Sequence, residues 1–174
     1  MKKRDKNNID LFLRYIIILA LGVGNLFLFY KTLTPITTYT LKTILNIFTP
    51  TALTHNILIL PTTKIELIPA CIAGSAYYIL LILNLATPNI NLNKRIKILI
   101  LTFAALFILN ILRILFLIAI NTTTFFQPLH YLFWYAISTI FVIAIWIFTV
   151  QHYKIKNTPI YDDLKFLSRL IKKK

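Results

Sequence analysis

The chain has 174 residues, 58% hydrophobic and 14% charged, with 19 lysines and arginines against 5 acids and a net charge of +14. That balance excludes an ordinary soluble domain. A single cysteine excludes an internal disulfide and a cysteine-rich metal site. Three scattered histidines without a His-x-x-x-His pair argue against zinc, and three glycines leave no phosphate-binding loop. Basic residues cluster at the edges of apolar runs, which points to membrane topology rather than to nucleic acid. No metal, cofactor or nucleic-acid partner is expected.

Residues 1–10 are polar and basic, and an apolar run follows over 11–30, broken only by Arg14. About 20 residues at 1.5 Å each cross a hydrocarbon core. The run is too long for the apolar part of a signal peptide and lacks a small-x-small cleavage motif. It reads as a retained first span with Arg14 snorkelling to the cytoplasmic interface. Residues 31–70 are rich in threonine and carry prolines at 35, 50, 61 and 69. A short amphipathic helix is expected over 36–48, ended by Pro50. Residues 56–60 and 64–68, flanking Pro61-Thr62-Thr63, read as a small β-hairpin, with Ile65 and Leu67 alternating with Lys64 and Glu66.

The second apolar run covers 70–86, with Pro69 suited to its first turn and Pro88 after its end. The third, 96–120, is apolar except for Asn110 and Arg113. The fourth, 129–150, opens with His130 among Tyr131, Phe133, Trp134 and Tyr135, like an interfacial belt. The basic tail, 151–174, repeats Leu164, Leu167, Leu170 and Ile171 at helical spacing, as a helix lying on the inner membrane surface would. The expected fold is therefore an all-α integral membrane protein. One domain over 1–174 has about four transmembrane helices (11–30, 70–86, 96–120 and 129–150), and its 31–70 segment is extracytoplasmic.

Charge sets the orientation. Lys2, Lys3, Arg4, Lys6 and Arg14 flank the first run; Lys94, Arg95 and Lys97 sit between the second and third; seven Lys and Arg follow residue 150. Residues 31–70 carry Lys31, Lys42 and Lys64 in forty positions, and 121–129 carry none. Both termini are expected in the cytoplasm of a multi-pass cell-membrane protein. Cys71 and His130 then begin spans that enter from outside. Arg113 lies seven residues before Ile120, about 10 Å along a helix. All three fall in the outer half of the membrane.

An arginine within a span needs a partner or a wet cavity; without one it snorkels or binds lipid phosphate. Asn110, one turn earlier, shares its face. Alone, Cys71 reads as a small buried apolar residue and His130 as an interfacial ring. Together with Arg113 they offer a thiolate nucleophile, a proton shuttle and a fixed cation for a thiolate or an oxyanion. His55 is a reserve base, His152 lies on the wrong side, and Ser75 supports by packing or bonding its own backbone.

Pro69-Ala70-Cys71 with Gly74-Ser75, Asn110-Ile111-Leu112-Arg113 and His130 opening the next span resemble the exosortase/archaeosortase family. The resemblance covers roughly residues 69–130. It implies a sortase-like cysteine protease or transpeptidase acting at the extracytoplasmic face. Its substrates would be C-terminal sorting signals of secreted proteins (a short motif, a transmembrane helix and a basic cluster). Transfer would go to a lipid or envelope acceptor, with membrane lipids as the surroundings. The alternatives are a non-enzymatic transporter-type subunit whose Arg113 holds an anionic ligand, and a structural protein acylated at its cysteine.

Overall fold

The structure is a computed structural model; it describes residues 3–121, 123–133, 136 and 138–171. Trp134 and Tyr135 of the expected belt, Thr122, and the basic residues at 2 and 172–174 lie outside the described residues, as do the side chains of Leu170 and Ile171. Among the described residues the chain is mostly helical with one small sheet. The order is α1 Lys3–Gly22, α2 Phe27–Leu45, β1 Ala52–Thr54, β2 Ile57–Ile59, β3 Lys64–Glu66, α3 Pro69–Ile72, α4 Gly74–Leu85, α5 Leu92–Ala119, α6 Phe126–Leu132, α7 Ser138–His152 and α8 Tyr161–Ile171.

The first apolar run is not one helix over 11–30. It breaks where Gly24, Asn25 and Leu26 take positive φ (77°, 54° and 59°), and α2 leaves at 65° to α1. Glycine and asparagine tolerate that conformation, and α-helix cannot pass through it. The short helix expected over 36–48 is instead the second half of α2, which runs on through Pro35. The expected hairpin is present and carries a third strand: β1, β2 and β3 form an antiparallel sheet in that order, with Leu58 opposite Leu53 and Ile65.

Helix α5 is long and apolar enough to cross a hydrocarbon core. The bent pair Ile9–Gly22 and Phe27–Leu45 passes the same test as one broken unit, while Gly74–Leu85 and Ser138–His152 are apolar but shorter. Four separate helices of full span length, as expected from the sequence, are therefore not present among the described residues. The second run is divided at Ala73 and the fourth between α6 and α7, with Phe133 and Ala136 in π-helical backbone.

Apolar side chains cover both the inside and the outside. On α5, Ile96, Ile100, Ala104, Ile108, Leu112 and Phe116 form an exposed stripe. The opposite stripe is buried and carries the polar groups Thr102, Asn110 and Arg113. One core cluster joins α1, α4, α5 and α7 through Ile18, Tyr77, Leu80, Leu106 and Ile145. A second packs α2, the sheet, α3 and α5 through Leu41, Leu58, Leu67, Ile72 and Ile114.

Cations bind the helices together at the end away from the sheet. Arg14 does not snorkel: it is 5% exposed and donates from both Nη atoms to the Asp163 carboxylate at 3.0 Å, from Nε to Asp10, and from Nη1 to the Leu85 carbonyl at 2.7 Å. Arg95 donates to the Asn84 and Thr87 carbonyls, and Lys94 to that of Tyr153 at 2.7 Å. These cations meet the unsatisfied carbonyls at the C-terminal ends of α4 and α7. The pair with Asp163 also fixes the amphipathic α8 against α1.

Candidate active site

Ile68 is extended (φ −78°, ψ 163°), and Pro69 then starts a single helical turn in which the Cys71 N–H donates to the Ile68 carbonyl at 2.8 Å. Ala73, left-handed at φ 59° and ψ 34°, ends that turn, and α4 begins at Gly74. A Cβ on Gly74 would lie 2.8 Å from the Tyr30 ring, so α2 and α4 approach this closely only because residue 74 is glycine. The sequence predicts Cys71 at the start of a long helix. It sits in a four-residue helix, too short to sum a macrodipole behind the sulfur.

The break leaves the Ala70 and Cys71 carbonyls without the helical N–H donors that an unbroken helix would give them. Helix α5 supplies the donors. Arg113 Nη2 reaches the Ala70 carbonyl at 3.1 Å and that of Cys71 at 3.2 Å, and Asn110 Nδ2 reaches the latter at 2.9 Å. Arg113 Nη1 donates to Ser138 Oγ at 2.8 Å, and the Ser138 hydroxyl donates to the Phe133 carbonyl at 2.7 Å. Arg113 is 7% exposed, and among the described residues its buried Nε finds no acceptor.

Cys71, Arg113 and His130 line one cavity of about 150 Å³, whose other walls are mainly apolar (Ile68, Ile114, Leu117 and Phe133). His130 comes from α6 and stacks between the rings of Phe126 and Tyr131, at 5.6 and 6.2 Å. Three separate helices thus bring a thiol, a guanidinium and an imidazole to one cavity. Asn110 touches it through the Cys71 carbonyl. Ser75 is exposed and lines a different, larger cavity of about 580 Å³ between α4 and α7, so it is not brought together with the other four. His55, the reserve base, is exposed at the β1–β2 turn with φ 56°, and is not among the residues lining the Cys71 cavity. His152 packs on Phe148 and Tyr153 at the opposite end of α7. Among the described residues no three His, Cys, Asp or Glu side chains come together as metal ligands would.

Ser138 is the residue that the sequence reading missed. A serine opening an apolar helix gives no signal by spacing; only the fold sets it between Arg113 and the segment that follows His130. Comparison of the chain with protein-family models, with curated proteins and with solved structures gave no match.

Proposed function

We propose that the chain is a membrane-embedded cysteine peptidase or transpeptidase of the exosortase/archaeosortase type. The observation that carries this reading is the shared cavity of Cys71, Arg113 and His130. In the proposed reaction the Cys71 thiolate attacks a peptide carbonyl, forming a C–S bond. Arg113 holds the developing oxyanion, and His130 gives its proton to the amine that leaves as the C–N bond breaks. The thioester then passes to an acceptor amine of a lipid or envelope component, or to water, with His130 taking the acceptor's proton. The polypeptide substrates would be secreted proteins bearing C-terminal sorting signals.

The membrane placement is supported by the exposed apolar stripe of α5, whose polar groups Thr102, Asn110 and Arg113 lie instead on the buried face, the reverse of a soluble helix. The proposed crossings are α1, α3 with α4, α5, and α6 with α7. Helix α2 and the sheet would lie at the extracytoplasmic surface, and the cation-rich end with α8 at the cytoplasmic one. The transporter-type alternative is less favoured, because it gives no task to Cys71 and His130, which line the same cavity as Arg113.

The test is cleavage in reconstituted membranes of a secreted protein from the same cell that ends in a motif, an apolar helix and a basic cluster. Cys71→Ala is expected to lower cleavage about 10⁴-fold or more, and hydroxylamine added during turnover should release the acyl group as a hydroxamate. Full cleavage by the variant would overturn the assignment.

A further inference from the structure

A nucleophilic Cys71 needs a substrate held over it, and the sheet offers the means. Strand β3 is an edge: it pairs with β2 on one side, and no strand among the described residues pairs with the other. The Leu67 N–H donates to the Asn56 carbonyl and the Leu60 N–H to the Thr63 carbonyl, both at 2.9 Å. In an antiparallel ladder the hydrogen-bonded pairs alternate. Residues 63, 65 and 67 therefore turn their backbone groups toward β2, and Lys64 and Glu66 turn theirs outward. Ile65, Glu66, Leu67 and Ile68 also form a wall of the Cys71 cavity. Glu66 of the unpaired edge thus borders the same cavity as Cys71, and Arg113, which also lines it, has a buried Nε without an acceptor among the described residues.

We infer that this edge binds an extended peptide as a fourth strand, and that the added strand carries its reactive carbonyl to Cys71. The inference rests on the proposed function and names its recognition mode. Backbone pairing with Lys64 and Glu66 supplies sequence-independent affinity, as in other cases of strand addition. Side chains of the added strand alternate in direction, so one of each pair enters the apolar cavity. A mainly apolar cavity of about 150 Å³ has room for one side chain of roughly leucine or phenylalanine size, which selects such a residue beside the reacting carbonyl. The charged Lys64 and Glu66 side chains are exposed and discourage indiscriminate edge-to-edge pairing.

The experiment uses the whole chain in lipid nanodiscs and follows alkylation of Cys71, the one cysteine in the sequence. The probes are acetyl-Ala-Ala-Leu chloromethyl ketone and chloroacetone, which carries the same electrophile without a peptide; in each the sulfur displaces chloride. The expected result is a preference of about tenfold or more for the peptide reagent, from two or more added backbone hydrogen bonds. Methylating the backbone nitrogens of that reagent should remove most of the preference. Glu66→Pro deletes an outward N–H while leaving the β2 ladder intact, and should lower the preference, read as the ratio of the two rates in the same variant, about fivefold. Equal rates for the methylated and parent peptides, or no peptide preference in the native chain, would overturn strand addition without depending on how any variant folds. A Cys71 that reacts with neither reagent would instead overturn its assignment as the nucleophile.

Discussion

Arg113 ties three segments together through one side chain. Its Nη atoms hold the carbonyls of Ala70 and Cys71 and the hydroxyl of Ser138, which in turn bonds the Phe133 carbonyl. The residue proposed to stabilise charge is therefore also the one that fixes the turn bearing Cys71. Removing the Ser138 hydroxyl takes the acceptor away from a buried guanidinium N–H, a cost of about 1–3 kcal/mol. Ser138→Ala should slow Cys71 alkylation by chloroacetone about tenfold at neutral pH, whereas Ser138→Thr, which keeps the hydroxyl, should stay near the native rate. Arg113→Lys keeps a charge but lacks the planar fork that reaches α3 and α7 together. It should fall at least as far as Ser138→Ala in the same assay, with helix content by circular dichroism unchanged.

At the level of elements, the break between α3 and α4 decides where the thiol points. Two neighbouring positions there respond oppositely to a single methyl group. Ala73 holds φ 59°, a conformation that costs a residue with a Cβ about 1–2 kcal/mol. Ala73→Gly should therefore stabilise the protein by about 1 kcal/mol after glycine's larger unfolded-state freedom is counted. Gly74→Ala would push the Tyr30 ring away from α4 and should destabilise by about 1–3 kcal/mol. Melting temperatures in one detergent check both signs. Pro69 made the start of this turn legible in the sequence. Its end was not, because an alanine at a left-handed position leaves no compositional mark and is held there by contacts from α2 and α5.

Across the whole molecule, the cation-rich end is a set of tertiary bonds as well as a charge pattern. Arg14 and Asp163 are separated by 149 residues and are both buried in a two-toothed contact. Removing one partner of such a pair strands the other charge, at about 3–5 kcal/mol. Asp163→Asn should lower the melting temperature strongly and free α8, seen as new protease sensitivity after residue 155. Asp10→Asn removes the exposed partner of the same arginine and should cost about 1 kcal/mol or less. An equal loss for the two variants would show that Asp163 contributes nothing beyond a surface ion pair.

Local chemistry carried much of the reading. Apolar runs and charge placement marked the helical segments, alternation marked β3, the apolar run before Pro61-Thr62-Thr63 marked β2, and an arginine in an apolar helix marked a position needing partners. The sequence by itself determined that the chain is helical, strongly apolar and basic at particular edges, and it singled out Cys71, Arg113 and His130. These properties depend on residue type and near-neighbour spacing. Only the tertiary structure decided that the three residues share a cavity while Ser75 and His55 do not. It also decided that α1 and α2 part at 65°, and that Arg14 is paired instead of reaching for the interface. Those outcomes are set by which carbonyl, ring or carboxylate a distant segment brings near, and residue spacing along the chain holds no record of that.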